Sequence, residues 1–245
     1  MPHNSIKMAP RGEWAAIAFA LLLPTLVTLA YFVWAASLAA AAQHAIYLLA
    51  KVVQFAFPVV WVCGVRRQRP QPWPLTMRGV ALGIALGLLA IVATLALYHG
   101  WLKTTDLLSQ ATAQISRKAT GVAIDHPWKL VALGVFYSLF HSLLEEYYWR
   151  WFVFGQLRTL LRFWPAAMIS ALGFMAHHVI VLATFFGLAS PATWLFSLAV
   201  ATGGVVWAWL YERSGSLLGP WLSHLLVDAG IFCVGYDILR QLSGG

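Results

Sequence analysis

The chain has 245 residues, of which 61% are hydrophobic and only 10% charged, and its mean hydropathy is +0.75. This composition excludes an ordinary soluble globular domain, in which about 25% of the residues are charged. The formal net charge of +8 does not predict a nucleic-acid partner, because the basic residues lie in short loops between apolar runs. The two cysteines, Cys63 and Cys233, lie within or beside apolar runs and provide neither a disulfide framework nor a CxxC metal site.

Apolar runs long enough to cross a bilayer, which takes about 20 residues, recur along the whole chain. We predict seven spans, at 14–39, 44–64, 79–101, 130–153, 164–187, 192–211 and 216–236. The Ala-rich stretch 35–42 obscures the first boundary, which we place at Gln43–His44, so six or eight spans are also compatible with the sequence. Aromatic residues end many of these runs, as in the belts at membrane interfaces: Trp14, Trp73, Trp101, Trp128, Trp164 and Tyr211. The predicted fold is all-α, a polytopic transmembrane helix bundle.

Basic residues predict how the bundle is oriented. With the N-terminus in the cytoplasm, nine of them fall on the cytoplasmic side: Lys7, Arg11, Arg66, Arg67, Arg69, Arg78, Arg158, Arg162 and Arg213. Five fall on the opposite side: Lys103, Arg117, Lys118, Lys129 and Arg240. Because positive charge is enriched in cytoplasmic loops, we predict a multi-pass protein of the bacterial inner (plasma) membrane with a cytoplasmic N-terminus.

The sequence divides into N-terminal helices at 1–129, a C-terminal core at 130–236 and a short tail at 237–245. The long connection 102–129 is partly polar and closes the first part. Its spaced apolar residues, Ile115, Val122 and Ile124, are compatible with a short helix at the membrane interface.

Ionisable residues inside the predicted spans are the strongest functional signal. The set comprises Glu145, Glu146, Arg150, His177, His178, His224 and Asp228. A charge at the middle of a bilayer costs at least about 2.5–3.5 kcal/mol on insertion scales. Several such residues in neighbouring spans therefore imply that they pair with one another and serve a function.

The fourth span carries two adjacent acids, Glu145 and Glu146, with His141 and Arg150 four residues to either side. Glu146 and Arg150 have the i, i+4 spacing with the acid first, which is the favourable helical ion pair. Glu145 points about 100° away from its neighbour and lacks that partner, which leaves it available as a general base. The alternative is that both acids pair with Arg150 and only hold helices together.

Histidines follow in the fifth and seventh spans. His177 and His178 are adjacent, and we expect one of them to be a packing residue and the other to be free for chemistry. His224 and Asp228 lie four residues apart on one helical face, so the carboxyl could orient the imidazole. At 1.5 Å per residue, these groups and Glu145 all lie roughly 12–20 Å below the cytoplasmic helix ends.

Three motifs in this order resemble the signature of the CAAX-protease and bacteriocin-processing family of glutamic-type intramembrane endopeptidases. They are Glu-Glu-x-x-x-Arg at 145–150, Phe-x-x-x-His at 174–178 and His-x-x-x-Asp at 224–228. The resemblance covers roughly 130–236. It implies that the protein hydrolyses a peptide bond near the membrane-embedded or C-terminal part of a protein or peptide substrate.

The resemblance also implies a role for each residue. Glu145 and His178 would activate a water, His224 and Asp228 would stabilise the oxyanion, and Glu146 with Arg150 would support the site. His177 and His141 would lie just outside it. The eukaryotic prenyl-protein enzymes have Asn at the position of Asp228, so Asp228 would act either protonated or through His224. We therefore expect no metal and no cofactor.

Other functions remain compatible with the residues alone. The histidines could hold the zinc of an intramembrane protease, although no HExxH is present. Buried Glu, His and Asp also serve proton relays, so an ion- or proton-coupled transporter is the alternative from another class. A transpeptidase with a Cys63 or Cys233 nucleophile and an inactive immunity or scaffold protein are further possibilities. The expected partners are a membrane-anchored protein or peptide substrate and the lipid bilayer, with no nucleic acid; the oligomeric state is open.

Overall fold

A computed structural model describes residues 10–70, 73–108, 112–114 and 127–243 of the chain. The short interfacial helix suggested by Ile115, Val122 and Ile124 lies outside the described residues. So do Lys7, Arg117 and Lys118 of the predicted charge distribution. The described residues form helices and turns without any strand, which confirms the predicted all-α bundle.

Seven long helical elements follow one another in the described parts of the chain. They are α1 (Pro10–Leu29), α2 (Ala40–Val59), α3 (Met77–Gly100), α4 (Pro127 to Leu160), α5 (Phe163–Phe186), α6 (Pro191–Ser214) and α7 (Leu218–Ser243). The helices α1 and α2 end in π-helical turns, Ala30–Trp34 and Val60–Val65. Two short 3₁₀ turns, Leu102–Thr104 and Asp106–Leu108, follow α3.

Six of these helices are long and apolar enough to cross a membrane: Arg11–Trp34, Ala40–Val65, Met77–Thr104, Phe163–Phe186, Pro191–Ser214 and Leu218–Gln241. This number lies within the predicted range of six to eight spans. The remaining predicted span, 130–153, lies in α4, and it carries the charged residues Glu145, Glu146 and Arg150. The chain is therefore an integral multi-pass membrane protein.

The first interhelical turn lies earlier than its predicted position at Gln43–His44. The turn spans Ala35–Ala39, and α2 already begins at Ala40. Gln43 lies in the first turn of α2, where its side-chain Nε2 donates to the Tyr31 carbonyl at 2.8 Å. The boundary prediction failed because alanines fit a helix and a short apolar turn equally well.

The helices run alternately up and down, and ion pairs tie their ends together. At one end, which we call the basic end, Arg66 pairs with Glu13 and Arg158 pairs with Glu212 at 2.6 Å. The described arginines of the predicted cytoplasmic side all belong to this end. They lie in the first turns of α1 and α3, after the π-helical turn that ends α2, and near the ends of α4 and α6. At the opposite end, Asp237 of α7 accepts hydrogen bonds from Tyr98 at 2.8 Å and Lys103 at 2.9 Å.

Large buried side chains of α4 pack between α1, α5 and α6. Tyr148, Trp149, Phe152 and Phe154 are essentially inaccessible, and they form one cluster with residues of those helices. The Tyr148 hydroxyl donates to the Ala20 carbonyl in α1 at 2.7 Å. The N-terminal helices therefore pack directly on the segment that carries the two glutamates.

The helices α3 and α7 cross in close contact at small residues. A Cβ added to Gly219 would come 2.6 Å from the Gly79 carbonyl oxygen, and one added to Gly83 would overlap the Gly219 backbone. Only glycine permits this approach, as is common where helices meet in membranes. The crossing fixes the position of α7, which carries His224 and Asp228.

Candidate active site

The two adjacent acids of α4 lie between irregular stretches of helix. Ser142–Glu146 is α-helical, but it is flanked by the π-helical segments Tyr137–His141 and Tyr147–Phe154. π-helical turns occur frequently at functional sites, because they change the direction in which side chains point. Both acids are buried, Glu145 with 5% and Glu146 with 0% of its surface exposed.

Glu146 binds two basic groups from different helices. Its Oε1 lies 3.2 Å from Nη1 of Arg150, which confirms the predicted i, i+4 pair. The same oxygen lies 2.7 Å from Nδ1 of His224 in α7. Arg150 is 1% and His224 4% exposed, so water screens none of these charges. Glu146 therefore joins α4 to α7 and neutralises a buried guanidinium.

Aromatic rings enclose the guanidinium of Arg150. Its Cζ lies 4.7 Å from the ring centre of Phe174 in α5 and 4.9 Å from that of Trp207 in α6. Cation–π contacts of this kind are strongest where the cation is desolvated. They hold Arg150 between α5 and α6 while its charge faces Glu146.

Glu145 faces three imidazoles instead of a guanidinium. Its carboxylate oxygens lie 3.5 Å from Nε2 of His177, 3.7 Å from Nε2 of His224 and 3.8 Å from Nδ1 of His141. All three distances are longer than an ordinary hydrogen bond. The carboxylate thus lies beside polar nitrogens without being tightly bound to any of them, which leaves its lone pairs free to accept from a water.

Both histidines of the α5 pair lie next to Glu145. Ligand atoms of Glu145, His177 and His178 all lie within 4.8 Å of one another, and the two imidazole rings are 4.2 Å apart. Nδ1 of His178 contacts the Phe174 carbonyl at 2.9 Å, which fixes the ring within its own helix. The structure therefore brings the motif residue His178 to the glutamate, and it places His177 at least as close.

Asp228 lies on the far side of His224 from Glu146. Its Oδ1 is 3.7 Å from Nε2 of His224, and the side chain is 19% exposed. The predicted site residues of α4, α5 and α7 thus meet in one cluster. Within it, His224 contacts Glu145, Glu146 and Asp228, a central position that spacing along the sequence did not indicate.

Two tryptophans stack on the histidines of the cluster. Trp207 lies parallel to His224 with ring centres 4.0 Å apart, and its Nε1 donates to Ser223 at 3.1 Å. Trp149 is parallel to His177 at 5.7 Å. Sequence reasoning treated tryptophans as interfacial, and it missed these two although both lie within predicted spans. Their position inside the spans, away from the membrane interface, could have indicated that they belong to the site.

Lys51 of α2 was also missed. It lies near the middle of the second predicted span, so it belongs to the same class of ionisable residue in an apolar run that singled out the other site residues. Its ammonium group interacts electrostatically with Glu145 and with His141. The N-terminal half of the chain therefore contributes charge to the site.

Comparison with known proteins gives a family match over the part of the chain that carries this cluster. Residues 127–230 match the family model described as type II CAAX prenyl endopeptidase Rce1-like. Over these residues the chain is similar to the type II CAAX prenyl endopeptidases. No curated protein and no solved structure matches the chain. The family resemblance drawn from the three motifs is thus confirmed over these residues, and it supports a CAAX-protease-like intramembrane endopeptidase.

Proposed function

We propose that the protein is a metal-independent, glutamic-type endopeptidase in which Glu145 activates a water for attack on a peptide carbonyl. The proposal rests on one observation, which is that the two adjacent acids have different partners. Glu146 is bound to Arg150 and His224, whereas Glu145 faces imidazoles at 3.5–3.8 Å. Of these two buried acids, Glu145 is the one whose carboxylate oxygens both lie 3.5 Å or more from the nearest basic nitrogen of the described residues, so it can accept the proton of a water without giving up an ion pair.

His178 and His177 position the attacking water in this proposal. Both rings belong to α5 and lie within 4.8 Å of the Glu145 carboxylate, so a water bound to Glu145 also meets an imidazole. His178 is the motif residue, and its ring is fixed by the Phe174 carbonyl through Nδ1, which leaves Nε2 available. A base and a positioning group of this kind each contribute about 10²-fold or more in rate.

His224 and Asp228 stabilise the oxyanion. Nδ1 of His224 contacts Glu146, so Nε2 is the atom directed towards Glu145 and Asp228. A ring protonated on both nitrogens donates through Nε2 to the oxygen that becomes negative in the tetrahedral intermediate. Asp228 contributes by holding this ring or, when protonated, as a second donor.

Substitution of Glu145 tests the proposed base in cells. Membranes from cells that express the wild type or Glu145→Gln are compared by mass spectrometry of protein C-termini. We expect a set of shortened C-termini that is present with the wild type and absent with the variant. Identical C-termini in the two membranes, at equal expression, would reject the peptidase proposal. Proton-coupled uptake into proteoliposomes without any cleavage would favour the transporter instead.

A zinc-dependent protease is the second candidate, because Glu145, His177 and His178 could supply three ligands to one ion. One feature favours the metal-independent form. Zinc-binding histidines almost always donate their second N–H to a partner, and Nδ1 of His177 has none among the described residues. Cleavage that stops with a chelator and returns with zinc would establish the metal enzyme.

The orientation of the protein follows from the basic end. We propose that this end is cytoplasmic, since arginines are enriched in cytoplasmic loops, and that the membrane is a bacterial inner membrane. The orientation is tested with an Arg213→Cys variant in which Cys63 and Cys233 are replaced by Ala. A membrane-impermeant thiol reagent added to intact cells should not label Cys at this position. Labelling would place the basic end on the outside.

A further inference from the structure

One face of α2 is polar although the helix lies in an apolar span. Tyr47 and Lys51 are four residues apart on this face, and both are half-buried. The Lys51 ammonium lies 5.5 Å from the centre of the Tyr47 ring and 5.4 Å from that of Phe55. The ring of Tyr47 in turn contacts Tyr31 of the π-helical turn after α1, with centres 4.6 Å apart.

This face packs against α4 close to Glu145, since the Phe55 ring that Lys51 contacts lies 6.2 Å from the ring of Tyr148 in α4. Lys51 interacts electrostatically with Glu145 and with His141, and Tyr47 does so with Glu145 and with Tyr137 of α4. The ring of Tyr137 lies 4.8 Å from that of His141, whose Nδ1 is 3.8 Å from the glutamate. Side chains of α2 and α4 that carry donor groups therefore lie near the Glu145 carboxylate.

Lys51 has no close anionic partner in the parts of the chain that the structure describes. Arg66 and Arg158 of the basic end pair with Glu13 and Glu212, and Lys103 pairs with Asp237. No carboxylate of the described residues lies within 4 Å of the Lys51 ammonium. An ammonium at this depth costs about 2.5–3.5 kcal/mol or more, and aromatic rings offset only part of that cost. A cation kept there at such a cost is typical of a ligand site.

We infer that Lys51, with the Tyr47 hydroxyl beside it, binds a carboxylate of the peptide substrate next to Glu145. The inference rests on the proposed peptidase function and specifies which substrate is accepted. An ammonium and a phenol together offer the charge-assisted donors that a carboxylate requires. A substrate with its carboxylate on Lys51 presents the neighbouring peptide bonds to Glu145.

The depth of Lys51 excludes a lipid headgroup as the ligand. Eleven residues separate it from Ala40 and fourteen from Val65, so it lies about 16 Å and 21 Å from the two ends of the span. Headgroups occupy the outer layers of a bilayer whose hydrocarbon core is about 30 Å thick. A peptide carboxylate that enters with an apolar segment reaches this depth.

Binding of matched probes to the full chain in lipid nanodiscs tests the inference. The probes are a tetrapeptide with an N-terminal dodecanoyl chain and a free C-terminal carboxylate, its C-terminal carboxamide, and the carboxamide with one internal Glu. The wild type should bind the carboxylate at least about tenfold more tightly than the carboxamide, as a charged hydrogen bond predicts. Lys51→Met should abolish this preference and leave the affinity for the carboxamide unchanged, whereas Lys51→Arg should retain most of it.

Two results would overturn the inference. One is the absence of a preference in the wild type. The other is a Lys51→Met variant that binds the carboxamide more weakly than the wild type does, as expected if Lys51 is only a counter-ion of Glu145. The internal Glu shows whether a side-chain carboxylate is accepted as well as a terminal one, and either result supports a carboxylate site. Because binding requires no turnover, this outcome is independent of whether the Glu145→Gln experiment detects cleavage.

Discussion

Replacing each of the adjacent glutamates by glutamine should produce opposite defects. Glu145 and Glu146 are next to each other in α4 and equally buried, and glutamine has nearly the same volume as glutamate. The difference between them lies only in their partners. We expect Glu146→Gln to lose stability and Glu145→Gln to lose activity.

The stability cost of Glu146→Gln follows from the contacts of one oxygen. Oε1 of Glu146 lies 3.2 Å from the Arg150 guanidinium and 2.7 Å from His224, and all three groups are almost completely buried. Removing one partner of a buried ion pair costs about 3–5 kcal/mol, because the other charge stays buried without compensation. For a chain of this length, that is a fall in Tm of about 6–20 °C.

Glu145→Gln should leave Tm within about 2 °C of the wild type, because no partner among the described residues lies closer than 3.5 Å to its carboxylate. Cleavage of the C-termini identified in the membrane comparison should fall by about 10²–10⁴-fold, the contribution of a general base. Tryptophan fluorescence during heating in detergent measures Tm, and mass spectrometry of reconstituted substrate measures cleavage.

An inverted pattern would refute this division of roles. If Glu146→Gln kept the wild-type Tm and lost only cleavage, Glu146 would be the base and Arg150 would be compensated elsewhere. If both variants fell in Tm by the same amount, the two acids would form one structural ion cluster, as in the alternative interpretation of the sequence. Arg150→Met gives a matched control, since it should lower Tm as Glu146→Gln does.

Three further predictions concern the residues around the glutamates. Gly83→Ala should displace α7 and lower the free energy of unfolding by about 1–3 kcal/mol. Gly100→Ala should not, because no described atom lies within 4 Å of the new Cβ. Equal Tm values for the two variants would contradict the close crossing. Trp207→Leu should reduce cleavage about tenfold or more, because the His224 ring loses the tryptophan that stacks on it, and Trp207→Phe should restore part of the activity. Wild-type cleavage by the leucine variant would show that the stack is dispensable. Dialysis against a chelator should leave cleavage unchanged, and activity restored only by zinc would contradict the metal-independent mechanism.

Much of the site could be predicted because its key relations lie within single helices. Glu146 and Arg150 are four residues apart, so the helical repeat alone brings them together, and the structure confirms the pair at 3.2 Å. His224 and Asp228 are related in the same way and lie 3.7 Å apart. Lipid also makes ionisable residues rare, so those that occur stand out from the apolar background.

Relations between helices could not be predicted in the same way. Which of His177 and His178 faces Glu145 depends on how α5 is rotated against α4, and the structure places both rings beside the carboxylate. The contact of His224 with Glu146 depends on the crossing of α3 and α7, which positions α7 through glycines spaced along both helices. π-helical segments on both sides of Glu145 also change the directions that an ideal helical repeat of 100° assigns.

The structure also explains why two glutamates accompany one arginine. Arg150 has its nearest anionic partner in Glu146, and its guanidinium is held between Phe174 of α5 and Trp207 of α6. The charge of Glu145 is balanced more loosely, by imidazoles of α4, α5 and α7 and by Lys51 at a distance. A carboxylate without a close cation can exchange a proton with water. A tightly paired carboxylate cannot do so without leaving the charge of its partner buried and uncompensated. Burial of both acids in one helix therefore requires unequal partners if one of them is to perform chemistry.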